Sequence, residues 1–310
     1  MTTWRIVSKK AILIPVFLIA LLVFSTTLAH AQWISVDPPS VGNDWFLFDV
    51  HFPSPGQGWA VGWDRSNNEE KGVLLQYVNG QWVSVNLPHP PLNGDWLLTG
   101  VHFTSPNEGW VVGEQKWGFQ GLLLHYLNGT WEYANSPNVS DDWWLWKVHL
   151  TAKDEGWAVG GNGTKGLLLH YTTYPGTAAP TWGTVTPPDL GDDVMWNLFG
   201  VHFTSKDEGW AVGRTLYGEK NTGVLLHYLD GHWVSVTPPE VSNYWDLWGV
   251  HFPSPYRGWA VGTDLINGRG VLLRYTREQF SPYQEEWVSI LPPANVSKLY
   301  GVHFTSEDEG

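Results

Sequence analysis

Cysteine is absent from all 310 residues, so disulfides and thiol chemistry contribute nothing to this chain. Bases are scarce: 17 Lys and Arg stand against 30 Asp and Glu, for a formal net charge of −13. So acidic a surface lacks the positive stripe that neutralises phosphates, and no nucleic-acid partner is expected. Gly-x-Ser-x-Gly, His-Glu-x-x-His and a phosphate-cradling glycine loop are all missing, which removes the sequence signatures of common hydrolase, metalloprotease and nucleotide chemistry. No cofactor is expected. No stretch from 32 to 310 carries helical periodicity.

The chain has a single long apolar run, from Ala11 to Phe24. Arg5, Lys9 and Lys10 precede it, and Ala29-His30-Ala31 follows with a small-x-small cleavage pattern. Residues 1–31 therefore read as a signal peptide, and the run is short for a membrane span. The mature chain is expected outside the cytoplasm (secreted, periplasmic or at the cell surface), without a membrane span unless this segment stays uncleaved. Removing its three bases takes the net charge from −13 to −16. Solubility accounts for that charge. Four sequons, at Asn128, Asn138, Asn162 and Asn295, matter only in a host that glycosylates secreted proteins.

Tryptophan is abundant, with 22 copies. Most belong to a repeat. Gly-Trp-Ala-Val-Gly or a near variant recurs with its indole at Trp59, Trp110, Trp157, Trp210 and Trp259, spaced by 51, 47, 53 and 49 residues. A Val-His-Phe-like triplet precedes each copy, placing His51, His102, His149, His202 and His251 eight residues before the tryptophan. A sixth triplet, Val302-His303-Phe304, runs into Thr-Ser-Glu-Asp-Glu-Gly at the end of the sequence. A period near 50 points to a solenoid or a propeller.

One repeat reads as four short strands. Leu98–Phe103 alternates and is rich in β-formers; Gly109–Gly113 and Gly121–Tyr126 follow after polar turns; Asn128-Gly129 signals a hairpin into a strand at Trp131. The fold class is all-β: a β-propeller of four-stranded antiparallel blades over residues 32–310, with five complete blades and a partial sixth. In the Gly-Trp-Ala-Val-Gly strand the small residues share one face, which would let the aromatic rows of a neighbouring blade approach closely. Trp33-Ile34-Ser35-Val36 matches the fourth strand of a blade and would close the ring as the outer strand of the last one. The expectation is a propeller of six or more blades whose C-terminal part is truncated here, leaving strand edges exposed and the isolated chain poorly soluble.

The Val-x-Phe triplet followed by Gly-Trp-Ala-Val-Gly, as in Val201-His202-Phe203 through Gly213, resembles the repeat of the photosystem II stability and assembly factor propellers. Those belong to a wider group of secreted propellers with BNR or Asp-box-like repeats. The resemblance covers the first two strands of all five blades. It departs in the second half, where the chain has His227-Tyr228-Leu229-Asp230-Gly231-His232-Trp233 in place of a Thr-x-Asp-Gly-Gly-x-Thr-Trp-like hairpin. It implies a binding or assembly platform and brings no catalytic residues with it.

In such a fold the loops after strands two and four share one face. The strand-two-to-three loops vary, from Trp63–Lys71 to the brief Gly161–Lys165, whereas the turns of the opposite face are monotonous. Recognition is expected on the variable face. A second tryptophan column lies six residues before each histidine: Trp45, Trp96, Trp143, Trp196 and Trp245, the first three preceded by Asp44, Asp95 and Asp142. Indoles beside carboxylates at a funnel mouth would suit a carbohydrate or protein ligand; the same column could instead plug the gaps between blades. The histidines do not cluster as metal ligands do, and each is expected to hydrogen-bond a neighbouring strand or turn. The resulting expectation is a non-catalytic binding or scaffold propeller. The competing class is a glycan-active enzyme or lectin with its site in the funnel, although the first-strand acids, Asp49 and Asp246, form no evident pair.

Overall fold

The computed structural model describes residues 36 and 38–310, apart from 92, 93, 117, 140, 141, 192, 279 and 280. The chain divides into two units, 1–37 and 38–310, and the architecture below is that of the second. The signal segment, and all but Val36 of the expected closing strand at 33–36, lie outside the described residues.

Twenty strands form five four-stranded sheets, each antiparallel and each in sequence order, and no helix occurs among the described residues. This is a β-propeller of four-stranded blades. In blade 2 the strands are β5 (Trp96–Ser105), β6 (Glu108–Gln115), β7 (Gln120–Leu127) and β8 (Thr130–Tyr133). Asn128 and Gly129 turn between β7 and β8 with φ of 50° and 95°, the left-handed pair that a two-residue hairpin requires. The innermost strands of the other blades are β1 (Trp45–Ser54), β9 (Trp144–Ala152), β13 (Met195–Ser205) and β17 (Trp245–Ser254), and each packs against the next along the chain.

Blades are joined by the repeat tryptophan. Trp59 of blade 1 stacks on Phe103 of blade 2 at 5.0 Å and 6°, with Tyr126 and Trp131 of blade 2 around it. Trp157 on Phe203 and Trp210 on Phe252 repeat the arrangement at 5.4 Å. All three indoles are buried. Each joint removes a large aromatic surface from water, at roughly 25 cal/mol per Å². At the end of the series Trp259 stacks on Phe304 at 5.2 Å and 2°, so the sixth triplet takes the position of a next blade's inner strand.

The glycines of the repeat do something other than the alternation pattern predicts. A Cβ on Gly109 would overlap the ring of Phe103, and one on Gly113 the carbonyl oxygen of Leu97, both on the inner strand of the same blade. A register shift between Leu98 and Gly100 brings that carbonyl close, a bulge repeated in blades 1, 4 and 5. The glycines that admit a neighbouring blade's aromatics are instead Gly72, Gly121, Gly166 and Gly223, at the start of each third strand.

Among the described residues, one blade face has no neighbour of this kind. On β1, Val50 and Phe52 are 54% and 44% exposed, whereas their repeat equivalents Val101 and Phe103 are 2% exposed.

Candidate functional site

The variable face is built from the loops after the second and fourth strands, and the second tryptophan column begins each inner strand there. Trp96, Trp143, Trp196 and Trp245 are buried, each with its six-membered ring against Gly72, Gly121, Gly166 or Gly223 of the preceding blade. Trp45 is half-buried. The structure thus places four of the five indoles in the blade interfaces.

The three acids beside that column separate. Asp95 Oδ1 accepts the Glu70 amide at 3.1 Å, bracing the loop of blade 1, and Glu70 itself pairs with Arg65 at 2.5 Å and with Lys116. Burial alone would raise the Glu70 carboxyl; the hydrogen bonds and charges of Lys116 and Arg65 outweigh it and hold the pKa below its ordinary value. Asp44 is exposed, and its backbone is tied to Ser66 Oγ and the Arg65 amide. Asp142 is exposed.

The residues that face the channel stand three positions before each repeat histidine: Phe48, Thr99, Trp146, Phe199, Trp248 and Tyr300. The Trp146 ring lies 6.2 Å from Phe48, 5.7 Å from Phe199 and 6.2 Å from Trp248. Phe199 stacks on Trp248 at 4.3 Å, and Trp248 meets Tyr300 at 5.8 Å. Because Trp146 of blade 3 touches rings from blades 1, 4 and 5, the cluster occupies the space enclosed by the inner strands. Sequence reasoning passed over this column, although the repeat register showed an aromatic at five of its six positions.

Both inner-strand acids are committed. Asp49 Oδ1 lies 2.5 Å from Lys147 Nζ, and Asp49 Oδ2 accepts the Val101 amide at 2.8 Å. Asp246 accepts the Thr263 amide at 2.9 Å and faces Arg214 at 3.7 Å. Burial raises the Asp246 pKa, against the opposing pull of the Thr263 amide and Arg214.

Beside the aromatic cluster runs a ladder of imidazoles, His51, His102, His149, His202, His251 and His303, with successive centroids 4.2, 4.5, 4.6, 4.4 and 4.5 Å apart. Nδ1 of His51, His102 and His251 accepts the amide of Phe103, Leu150 and Phe304 on the next inner strand. Blade-to-blade hydrogen bonding is the expected role, and these three fulfil it. His149 and His202 have a buried Nδ1 without a partner. Desolvation holds His51 and His251 down to about 4, and His102, His149 and His202 well below the ordinary imidazole value.

What the variable face offers to solvent is at its loop tips. Phe119 is 55% exposed and Tyr217 85%, and both sit in the left-handed region, with φ of 42° and 58°. Leu265 and Ile266 project from the equivalent loop of blade 5. That loop is held by buried Asp264: burial would raise its carboxyl, but bonds from Asn267, Ser242 and Arg269 keep the pKa below its ordinary value. Beside Tyr217 opens a cavity of about 350 Å³ lined by Leu190, Asp193, Thr215, Lys220 and Thr222 among others. Phe119, Tyr217, Leu265 and Ile266 lie in irregular loops, outside the reach of any repeat pattern.

No family model and no curated protein matches the chain. Similar solved structures include YjhT, at 11% identity and a TM-score of 0.48, covering 76% of this chain and 81% of that one. YCF48 from Cyanidioschyzon merolae matches at 15% identity and a TM-score of 0.34, over 74% of this chain and 95% of its own. The polysaccharide lyase Uly1 matches at 10% identity and 0.42, over 79% and 68% respectively. The propeller architecture follows from the strand order and blade packing of the chain itself.

Proposed function

We propose that the chain is a non-catalytic binding or scaffold propeller that engages a protein or glycan through the loop tips of its variable face. The observation that carries this reading is the pair Phe119 and Tyr217. Each exposes an aromatic ring to water and holds a bulky residue at positive φ, two costs at one position. A loop free of a recognition task would favour glycine or asparagine there. Exposed rings with polar neighbours suit both sugar stacking and the anchors of a protein interface. A funnel enzyme is the weaker reading, since Asp49 and Asp246 are engaged and aromatic rings crowd the channel.

The test compares wild type with the Phe119→Ser/Tyr217→Ser double variant on a glycan array and on a panel of extracytoplasmic proteins from the source organism. A bound glycan or protein that the double variant loses by tenfold or more, at unchanged Tm, supports the reading. Binding that survives both substitutions contradicts it, and turnover of a glycoside panel would favour the enzyme.

A further inference from the structure

A cavity of about 560 Å³ lies on the opposite face, between blades 3 and 4. Glu155, Thr173, Phe203 and Lys206 are among its lining residues, together with His149, whose buried Nδ1 lacks a partner.

The next seam shows what such a position accommodates. Glu208 of blade 4 is the repeat equivalent of Glu155, two residues before the repeat tryptophan. Glu208 faces His227 at 3.4 Å, and Arg277 of blade 5 reaches back to it with two hydrogen bonds, 2.7 and 3.2 Å, one to each carboxylate oxygen. The Arg277 guanidinium also lies 5.5 Å from the Tyr256 ring. Burial by itself would raise the Glu208 carboxyl; His227 and Arg277 outweigh it and hold the pKa down.

At the seam between blades 3 and 4 half of this constellation is present. His170 pairs with Glu155 as His227 does with Glu208. The repeat position of Arg277, three residues after the strand-three His or Arg, is Asp230 on blade 4. The repeat places no arginine of blade 4 in this seam, and the cavity opens there. We propose that this cavity binds a guanidinium group, the side chain of an arginine carried by a partner polypeptide. The incoming group takes the place at Glu155 that Arg277 holds at Glu208, a bidentate geometry that a carboxylate gives to arginine and not to lysine. The site is on the face opposite the loop tips and is independent of the binding role proposed for them.

The test titrates the full chain with N-acetyl-arginine amide, using N-acetyl-citrulline amide and N-acetyl-lysine amide as probes of charge and shape, followed by NMR or calorimetry. Saturable binding of the arginine probe is expected, at least about tenfold tighter than either other probe. Glu155→Gln should weaken it about tenfold. Asp230→Arg, which gives blade 4 an arginine at the matching repeat position, should abolish probe binding with no gain in Tm, because position 230 is left-handed at φ 49°; this competitor variant tests the site even if Glu155→Gln does not fold. Equal binding of arginine and citrulline probes, no binding by wild type, or unaltered binding by Asp230→Arg would each overturn the proposal.

Discussion

Asp49 joins three blades: its Oδ1 lies 2.5 Å from Lys147 Nζ of blade 3, while its Oδ2 accepts the Val101 amide of blade 2 at 2.8 Å. Asp49 is nearly buried and Lys147 about one-third exposed, so the two partners are unequal. Lys147→Met leaves a desolvated carboxylate and should cost roughly 2–3 kcal/mol, less than for a fully buried pair because Lys147 is partly solvated. Asp49→Asn with Lys147→Met should recover part of that loss. A double-mutant cycle by urea denaturation checks this, with a coupling near zero as the contrary result.

The imidazole ladder predicts acid sensitivity. Folding holds His51, His102, His149, His202 and His251 below the value near 6.5 that they have when unfolded, so the unfolded chain binds more protons once the pH falls below it. Stability should be full above about pH 7 and fall as the pH drops below about 6.5, the contributions of His51 and His251 being lost by about pH 4. A one-unit displacement of a pKa is worth about 1.4 kcal/mol, so the summed loss should reach several kcal/mol. The carboxylates held low at Glu70, Glu208 and Asp264 act in a lower window, losing their contribution as pH falls through their depressed values. Urea midpoints from pH 7.5 to 4.5 measure the effect, and His149→Leu should flatten the curve.

The buried tryptophan column predicts a loss of stability. Trp96→Ala and Trp143→Ala should each cost about 3–5 kcal/mol, as large-to-small core substitutions do. Gly121→Ala should also destabilise, because its Cβ would overlap the Trp143 ring. Tyr217→Gly should do the opposite, relieving a left-handed aromatic by up to about 1 kcal/mol. Thermal unfolding of the four variants separates interior from recognition residues.

The open face of β1 predicts self-association. Val50 and Phe52 expose the surface that Val101 and Phe103 bury against a neighbouring blade. Val50→Thr with Phe52→Ser should raise the monomer fraction of this 310-residue chain in sedimentation velocity while leaving the Tm nearly unchanged.

The blades were legible because the repeat carries strand alternation, hairpin glycines and an aromatic joint in one register. Trp59, Trp110, Trp157 and Trp210 are interior, as their periodicity suggests. The role of Gly113 was not legible, since it depends on a bulge that shifts the partner strand by one residue and brings the Leu97 carbonyl against it. The fate of Trp143 depends on Gly121 in the preceding blade, a contact that alternation within one strand does not encode. Phe119 and Tyr217 sit in loops that follow no period, and only their backbone angles and exposure distinguish them.

The binding role of the variable face is tested most directly by site-specific photo-crosslinking. A benzophenone side chain placed at Tyr217 or Phe119 should capture a discrete protein or glycan from the extracytoplasmic fraction of the source organism. The same group at Val234, exposed on the outer strand of blade 4, should capture nothing. Equal capture from all three positions, or capture from Val234 alone, would contradict the account.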